Sequence, residues 1–149
     1  MPSIKQLPFL GFRTVSNRKL IDAVHKHLGR PWSAHGFDCW ECVRAIYFDA
    51  YGITLAQFQI ETPGDHHETM TAIDEQKKTG KWEMLGYPED GCFVAIGKRE
   101  WPHHIGIYLA IDGGKIVHCL ENIGCVVDSV SSLKISGWGF MQFYKLGNK

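Results

Sequence analysis

Cys39 follows Asp38 directly in the segment Gly36-Phe37-Asp38-Cys39-Trp40-Glu41-Cys42-Val43-Arg44. Aspartate is a preferred helix N-cap. Cys39, Cys42, Val43, Ile46 and Tyr47 then fall on one helical face, and Gly52 stops the helix. A cysteine in the first turn of a helix lies near unpaired backbone N–H groups and the positive end of the dipole. Both favour thiolate over thiol, and the same N–H groups can hold the oxyanion formed when a thiolate attacks a carbonyl. A lone cysteine is more often a buried structural residue, so the weight of the reading comes from what surrounds it. Cys39 and Cys42 also form a C-x-x-C. A redox motif of that kind should follow a strand in an early βαβ unit, whereas here a helix and a Gly/Pro-punctuated loop precede it. A zinc site needs a second matching pair, and neither another C-x-x-C nor an H-x3-H is present. No metal and no cofactor is expected, and Cys42 reads as a core residue one turn along.

Eight histidines could supply a base. His25 and His27, on or near the first helix, are expected to be solvated. His66 and His67, on a polar segment, are expected to be exposed. His103 and His104 open an alternating stretch, Ile105, Ile107 and Leu109 with Gly106 and Tyr108 between them. Successive strand residues face opposite ways, so of the two it is His104 that shares a face with Gly106 and Tyr108. A glycine two residues on leaves room beside an imidazole. His118 lies between Val117 and Cys119 on the next strand, either as a satisfied core histidine or as the partner that orients a catalytic imidazole.

The elements that must position these residues divide the chain in two. Ser16 or Asn17 can cap a first helix carrying Leu20, Ile21, Val24 and Leu28 inward, ended by Gly29-Arg30-Pro31. Pro63-Gly64 turns the chain, and Asp65 caps a polar helix with Met70 and Ile73 inward, closing at Gly80. Strands are expected over 92–96, from 105 on, over 115–120, 125–130 and 138–144, with a hairpin at Asp112-Gly113-Gly114. Helices first and an antiparallel sheet second make an α+β layout in which the sheet packs on a helix.

The chain of 149 residues reads as one domain, with 1–15 as an N-terminal arm or short strand. Sixteen basic residues balance sixteen acidic ones, which argues against a surface built for nucleic acid. Five cysteines cannot all pair within the chain, so a disulfide framework is not expected. Residues 1–12 lack the apolar run and small-residue cleavage site of a signal peptide, and no apolar run is long enough to span a bilayer. Synthesis in the cytoplasm is expected, with no membrane partner.

The order Gly29-Arg30-Pro31-Trp32, Asp38-Cys39, Glu89-Asp90-Gly91-Cys92-Phe93-Val94, His104-Ile105-Gly106-Ile107-Tyr108-Leu109 and Ile116-Val117-His118 resembles the NlpC/P60 peptidases over about residues 20–144. The wording Asp-Cys-Trp-x-Cys-Val-Arg, with Tyr51-Gly52-Ile53 after it, looks most like the branch found in phage tail assembly proteins. The resemblance implies a papain-like α+β fold and hydrolysis of peptidoglycan stem peptides, commonly next to γ-D-glutamyl and diaminopimelyl residues. By position it implies Cys39 as nucleophile, His104 as base and His118 as the residue that holds the imidazole, with Asn122 as the alternative third member. The N–H of Cys39 would serve the oxyanion, and Asp38, Trp32 and Trp40 would lie at the oxyanion or substrate site. Trp40-Glu41 stands where the family often has Ser-Gly, and Trp32 where it often has Tyr, changes that bear on substrate fit. A tight turn at Gly113-Gly114 would set His118 opposite Leu109 and bring Asn122 or Ile123 nearer His104. The setting implied is the cell wall, with other phage tail proteins or an immunity protein as partners. Competing readings are a docking module of a phage tail tip with little hydrolysis, an injected effector toxin with the same chemistry, and a lipid acyltransferase, for which a membrane-seeking segment is lacking.

Overall fold

A computed structural model describes residues 16–57, 66–98 and 102–147. Helix α1 (Arg18–His27) starts where the Asn17 side chain accepts from the N–H groups of Lys19 and Leu20. It turns Leu20, Ala23 and Val24 inward. Helix α2 (Cys39–Tyr51) starts at Asp38, whose Oδ1 accepts from Glu41 N–H at 2.9 Å, and ends at Gly52. Its buried face of Cys42, Val43, Ile46 and Tyr47 is the one its spacing predicts, with Trp40 and Ala50 added. Helix α3 (His66–Lys78) follows. The expected Asp65 cap, the Pro63-Gly64 turn and the N-terminal arm lie outside the described residues, as does the side chain of His66.

Strands β1 (Trp82–Leu85), β2 (Phe93–Gly97), β3 (Pro102–Leu109), β4 (Lys115–Leu120), β5 (Gly124–Ser129) and β6 (Phe140–Leu146) form one sheet in the order β1-β6-β2-β3-β4-β5, with antiparallel neighbours. Two elements escape sequence reading. β1 is a four-residue edge strand paired only with β6, too short to show an alternation. Helix α4 (Val130–Ile135) begins where the last expected residue of β5 stands, because the Ser129 hydroxyl accepts from Ser132 N–H and caps a helix there.

The sheet has a thick side and a thin one. On the first, α1, α2 and α3 cover Phe93, Ala95, Ile105, Ile107 and Val117. Trp40, Tyr47, Trp82, Phe93 and Tyr144 interlock there with ring centroids 4.8–5.9 Å apart. Such pairs contribute about 0.5–1.5 kcal/mol each beyond the area they bury. The Tyr47 hydroxyl donates to Gly91 O and ties α2 to the turn before β2. On the second side Val94, Ile96 and Ile116 meet, among the buried apolar side chains of the described residues, only Leu133 of α4, with Trp138, Met141 and Phe143 partly buried around them.

The register of β3 on β4 departs from the tight-turn expectation. The connection runs over 110–114, so Leu109 faces Lys115 and Gly106 faces His118. Asn122 falls in the β4–β5 turn with φ at 71° and is exposed. His25 and His67 are exposed as expected. His27 is not: it is 6% exposed, its Nε2 pairs with Asp49 Oδ2 at 2.6 Å and its Nδ1 with Arg30 Nη1 at 2.9 Å. The inward stripe of α1 is wide enough to take in a histidine because α2 offers a carboxylate opposite it.

Gly106 is set by close approach. A Cβ there would lie 2.6 Å from Val117 O and 2.8 Å from Ile116 Cγ2. Replacing Gly106→Ala should therefore force β3 and β4 apart and destabilise the protein by about 1–3 kcal/mol, the usual cost of overpacking. The check is the urea midpoint, which should fall with little change in slope; an unchanged midpoint would refute the packing argument.

Candidate active site

Two strand-borne imidazoles and a carboxylate form a chain across three neighbouring strands. His104 Nε2 lies 2.9 Å from His118 Nδ1, and His118 Nε2 lies 2.8 Å from Asp128 Oδ2. The β3–β4 and β4–β5 registers produce this line. His118 stands opposite Gly106 on one side and Val126 on the other, so His104 and Asp128 are its diagonal neighbours on the same face. His118 is 1% exposed and His104 7%. Burial lowers the His118 pKa below its ordinary 6.5, and the Asp128 carboxylate only partly offsets this. His118 is therefore a neutral imidazole at neutral pH.

Cys39 reaches the same strand from the helical side. As the first residue of α2 it is partly exposed, and the N–H groups of Ile105 and Trp40 are directed at its sulfur. Ile105 is the residue after His104, so the sulfur sits against the start of β3. The expected preference for thiolate does not hold in the resting site. Burial first, and the Asp38 carboxylate second, push the Cys39 thiol up to about 12. The two N–H groups act in the expected direction and are outweighed. Asp38 itself is half-buried, and burial raises its pKa above the ordinary carboxylate value against the pull of the Glu41 N–H.

The loop before Cys39 is held on both sides. Gly29 N–H donates to Cys125 O and Cys125 N–H to Arg30 O, both at 2.9 Å, so the loop borders the start of β5. Gly124, at φ 99°, keeps that approach open: a Cβ there would lie 2.5 Å from Arg30 O. The Arg30 guanidinium stacks 3.8 Å over the Phe37 ring while pairing with His27.

Of the remaining expected site residues, Trp32 is partly buried against the main core. Trp40, expected to face substrate, is 4% exposed, and its indole N–H donates to Ala56 O at 2.9 Å. It belongs to the aromatic core because position 40 faces the sheet, and it also lines a groove. That groove, of about 980 Å³, runs beside α2 between Asp38, Glu41, Arg44 and Phe48 on one side and Thr54 and Leu55 on the other. It adjoins the cysteine without including its sulfur. Asn122 has no place in the chain of imidazoles. Sequence reading misses two neighbours. Asp128 carries no local signal, since only the β4–β5 register brings it to His118. Trp138 lies 5.7 Å from the His104 ring and 5.3 Å from His103, on the thin side of the sheet. Among the described residues no group of three or more His, Cys, Asp or Glu is arranged to hold a metal ion.

The NlpC/P60 family profile matches residues 26–143. No curated protein matches the chain. Among solved structures, the NlpC/p60 domain of the peptidoglycan hydrolase SagA is similar with a TM-score of 0.52 and 19% identity over 85% of this chain and 95% of that one. A lipoprotein-like protein of the NLP/P60 family from Staphylococcus aureus is similar with a TM-score of 0.54 and 17% identity over 94% of this chain and 43% of that one. At these identities the likeness is one of fold, and it agrees with the α+β, papain-like arrangement of helices and sheet described above. Residues 26–143 take in Cys39, both imidazoles and Asp128, and the chain belongs to the NlpC/P60 family.

Proposed function

We propose that this protein is a cysteine peptidase that hydrolyses peptide bonds in the stem peptides of bacterial peptidoglycan. The observation that carries the reading is the Asp128–His118–His104 chain, ending on a strand whose next residue, Ile105, directs its N–H at the sulfur of a cysteine at a helix start. Family membership and the peptidoglycan hydrolase among its structural neighbours support the substrate class. Cys39 is the nucleophile, His104 the base and His118 the residue that holds it. The γ-D-glutamyl-diaminopimelate bond is the target we assign, and the cell wall the place of action. A phage or prophage setting rests on the wording around Cys39 alone.

The raised Cys39 pKa shapes the mechanism. A thiol must lose its proton to be a strong nucleophile, and burial opposes a free thiolate here. His104 takes the proton as sulfur attacks the scissile carbonyl. The first-turn N–H groups of α2, Cys39's among them, stabilise the oxyanion. His104 then gives the proton to the departing amine, leaving a thioester. Water, deprotonated by the same imidazole, releases the acid and restores the thiol. The groove beside α2 offers the stem peptide a bed with both charges, Arg44 and Glu41, and an exposed ring, Phe48.

Cys39→Ala should abolish turnover of purified peptidoglycan fragments while leaving the circular dichroism spectrum intact. Mass spectrometry of the products identifies the bond, and fragments released equally by both proteins would end the proposal.

The depressed His118 pKa has a sign. The unfolded chain takes up a proton as pH falls through 6.5, whereas the folded site refuses it until lower pH. This contribution leaves stability intact above 6.5 and removes it as pH drops from there toward the folded pKa. Denaturation at about pH 7.5 and about pH 5.5 should show wild type losing stability, and His118→Gln losing less over the same step. An equal loss in the two proteins would refute it.

A further inference from the structure

Asp128 has no part in the chemistry described so far, yet it stands at the end of the imidazole chain. A carboxylate can only accept, so the His118 Nε2 that lies 2.8 Å from Asp128 Oδ2 carries the proton. A neutral imidazole has one N–H, so His118 Nδ1 is the acceptor. The 2.9 Å contact between that nitrogen and His104 Nε2 then requires His104 to donate from Nε2. In its neutral form His104 then carries no proton on Nδ1. Each tautomer follows from the one before it, and the first is set by Asp128.

We infer that Asp128 is a positioning residue that fixes the tautomers of His118 and His104 in series and so makes Nδ1 the basic nitrogen of His104. This deepens the peptidase reading, since it assigns a fourth member to the same site. Without the carboxylate, His118 can carry its proton on Nδ1 and donate to His104 Nε2. The His104 proton then sits on Nδ1, where it blocks acceptance from the thiol. The groups facing His118 leave no other candidate among the described residues. β3 brings His104 and β5 brings Asp128, while the one charge on α4, Lys134, is exposed. Asp128 keeps its side chain 38% exposed, so it can be replaced without opening a cavity.

The test needs no substrate. Long-range proton–nitrogen correlation spectra of the wild type above pH 7 should show both imidazoles protonated at Nε2, with bare Nδ1 nitrogens. A proton on Nδ1 of either ring overturns the inference. Alkylation of Cys39 by iodoacetamide, followed by peptide mapping against pH, gives the second readout. The other four cysteines are buried and should react slowly. In Asp128→Asn the rate near neutral pH should fall about tenfold or more and the profile should move to higher pH. That loss is smaller than the roughly 10⁴-fold one seen where a triad aspartate in direct contact with the catalytic histidine is changed to Asn and the histidine tautomer is wrong, because Asp128 acts one imidazole further out. Asp128→Glu should recover part of the rate. A profile for Asp128→Asn that overlays the wild type refutes the inference even if thermal stability drops. Peptidoglycan assays on the same proteins separate the two claims: altered tautomers and alkylation without hydrolysis by any of them would leave Asp128 in its role and remove the peptidase.

Discussion

A buried imidazole has two nitrogens to satisfy, and leaving one unpaired away from water costs about 1–3 kcal/mol. His118, 1% exposed in the middle of a sheet, meets this demand with one partner from each adjacent strand. Much of the surrounding design follows. β4 must lie between β3 and β5, and both registers must place a polar partner on the diagonal. Gly106 must lack a side chain so that β3 can come close beside the ring. A slip of one residue in either register would turn the partner to the other face, leaving His118 with an orphaned nitrogen inside an apolar layer. The polar chain thus selects one pairing among several that apolar alternation would accept.

Cys39 depends on a different set of forces. Its place at the start of α2 comes from the Asp38 cap, and the helix is oriented by the aromatic layer it buries against Phe93, Trp82 and Tyr144. The strap formed by Gly29, Arg30 and Cys125, with Arg30 seated between His27 and Phe37, keeps the preceding loop from drifting. Helix and sheet therefore meet at the cysteine as two independently supported bodies. Burial and the Asp38 carboxylate both hold the Cys39 pKa above its ordinary value.

What could be read from sequence was local. The Asp38 cap, the inward face of α2, the alternation of β3 and the hairpin after Leu109 are written in short-range patterns. Cys39, His104 and His118 stand in such patterns and in the NlpC/P60 motif order, and the structure sets His104 and His118 in contact. What could not be read was relational. Turn length at 110–114 decides which residue faces His118, and a glycine pair there suggests a tighter turn than the chain makes. Asp128 has no neighbour in sequence that marks it. Trp40 reads as an aromatic beside a nucleophile, yet the helical phase turns it into the core. His27 looks like a surface histidine until Asp49 is found opposite. In each case the missing information is which segment packs where, and composition does not carry it.

The uneven covering of the sheet bears on how such a site can change over time. The thick side, packed by three helices, holds most of the buried apolar surface among the described residues and thereby most of the fold's cohesion. The imidazoles occupy the other side, roofed near His104 by a partly buried Trp138 and, over Val94, Ile96 and Ile116, by the six-residue α4. Substitutions in that roof remove little apolar contact and leave the helical layer untouched. A lineage can therefore remodel what surrounds the two imidazoles, lengthening the β5–β6 connection or exchanging Trp138, while the scaffold holding the cysteine persists.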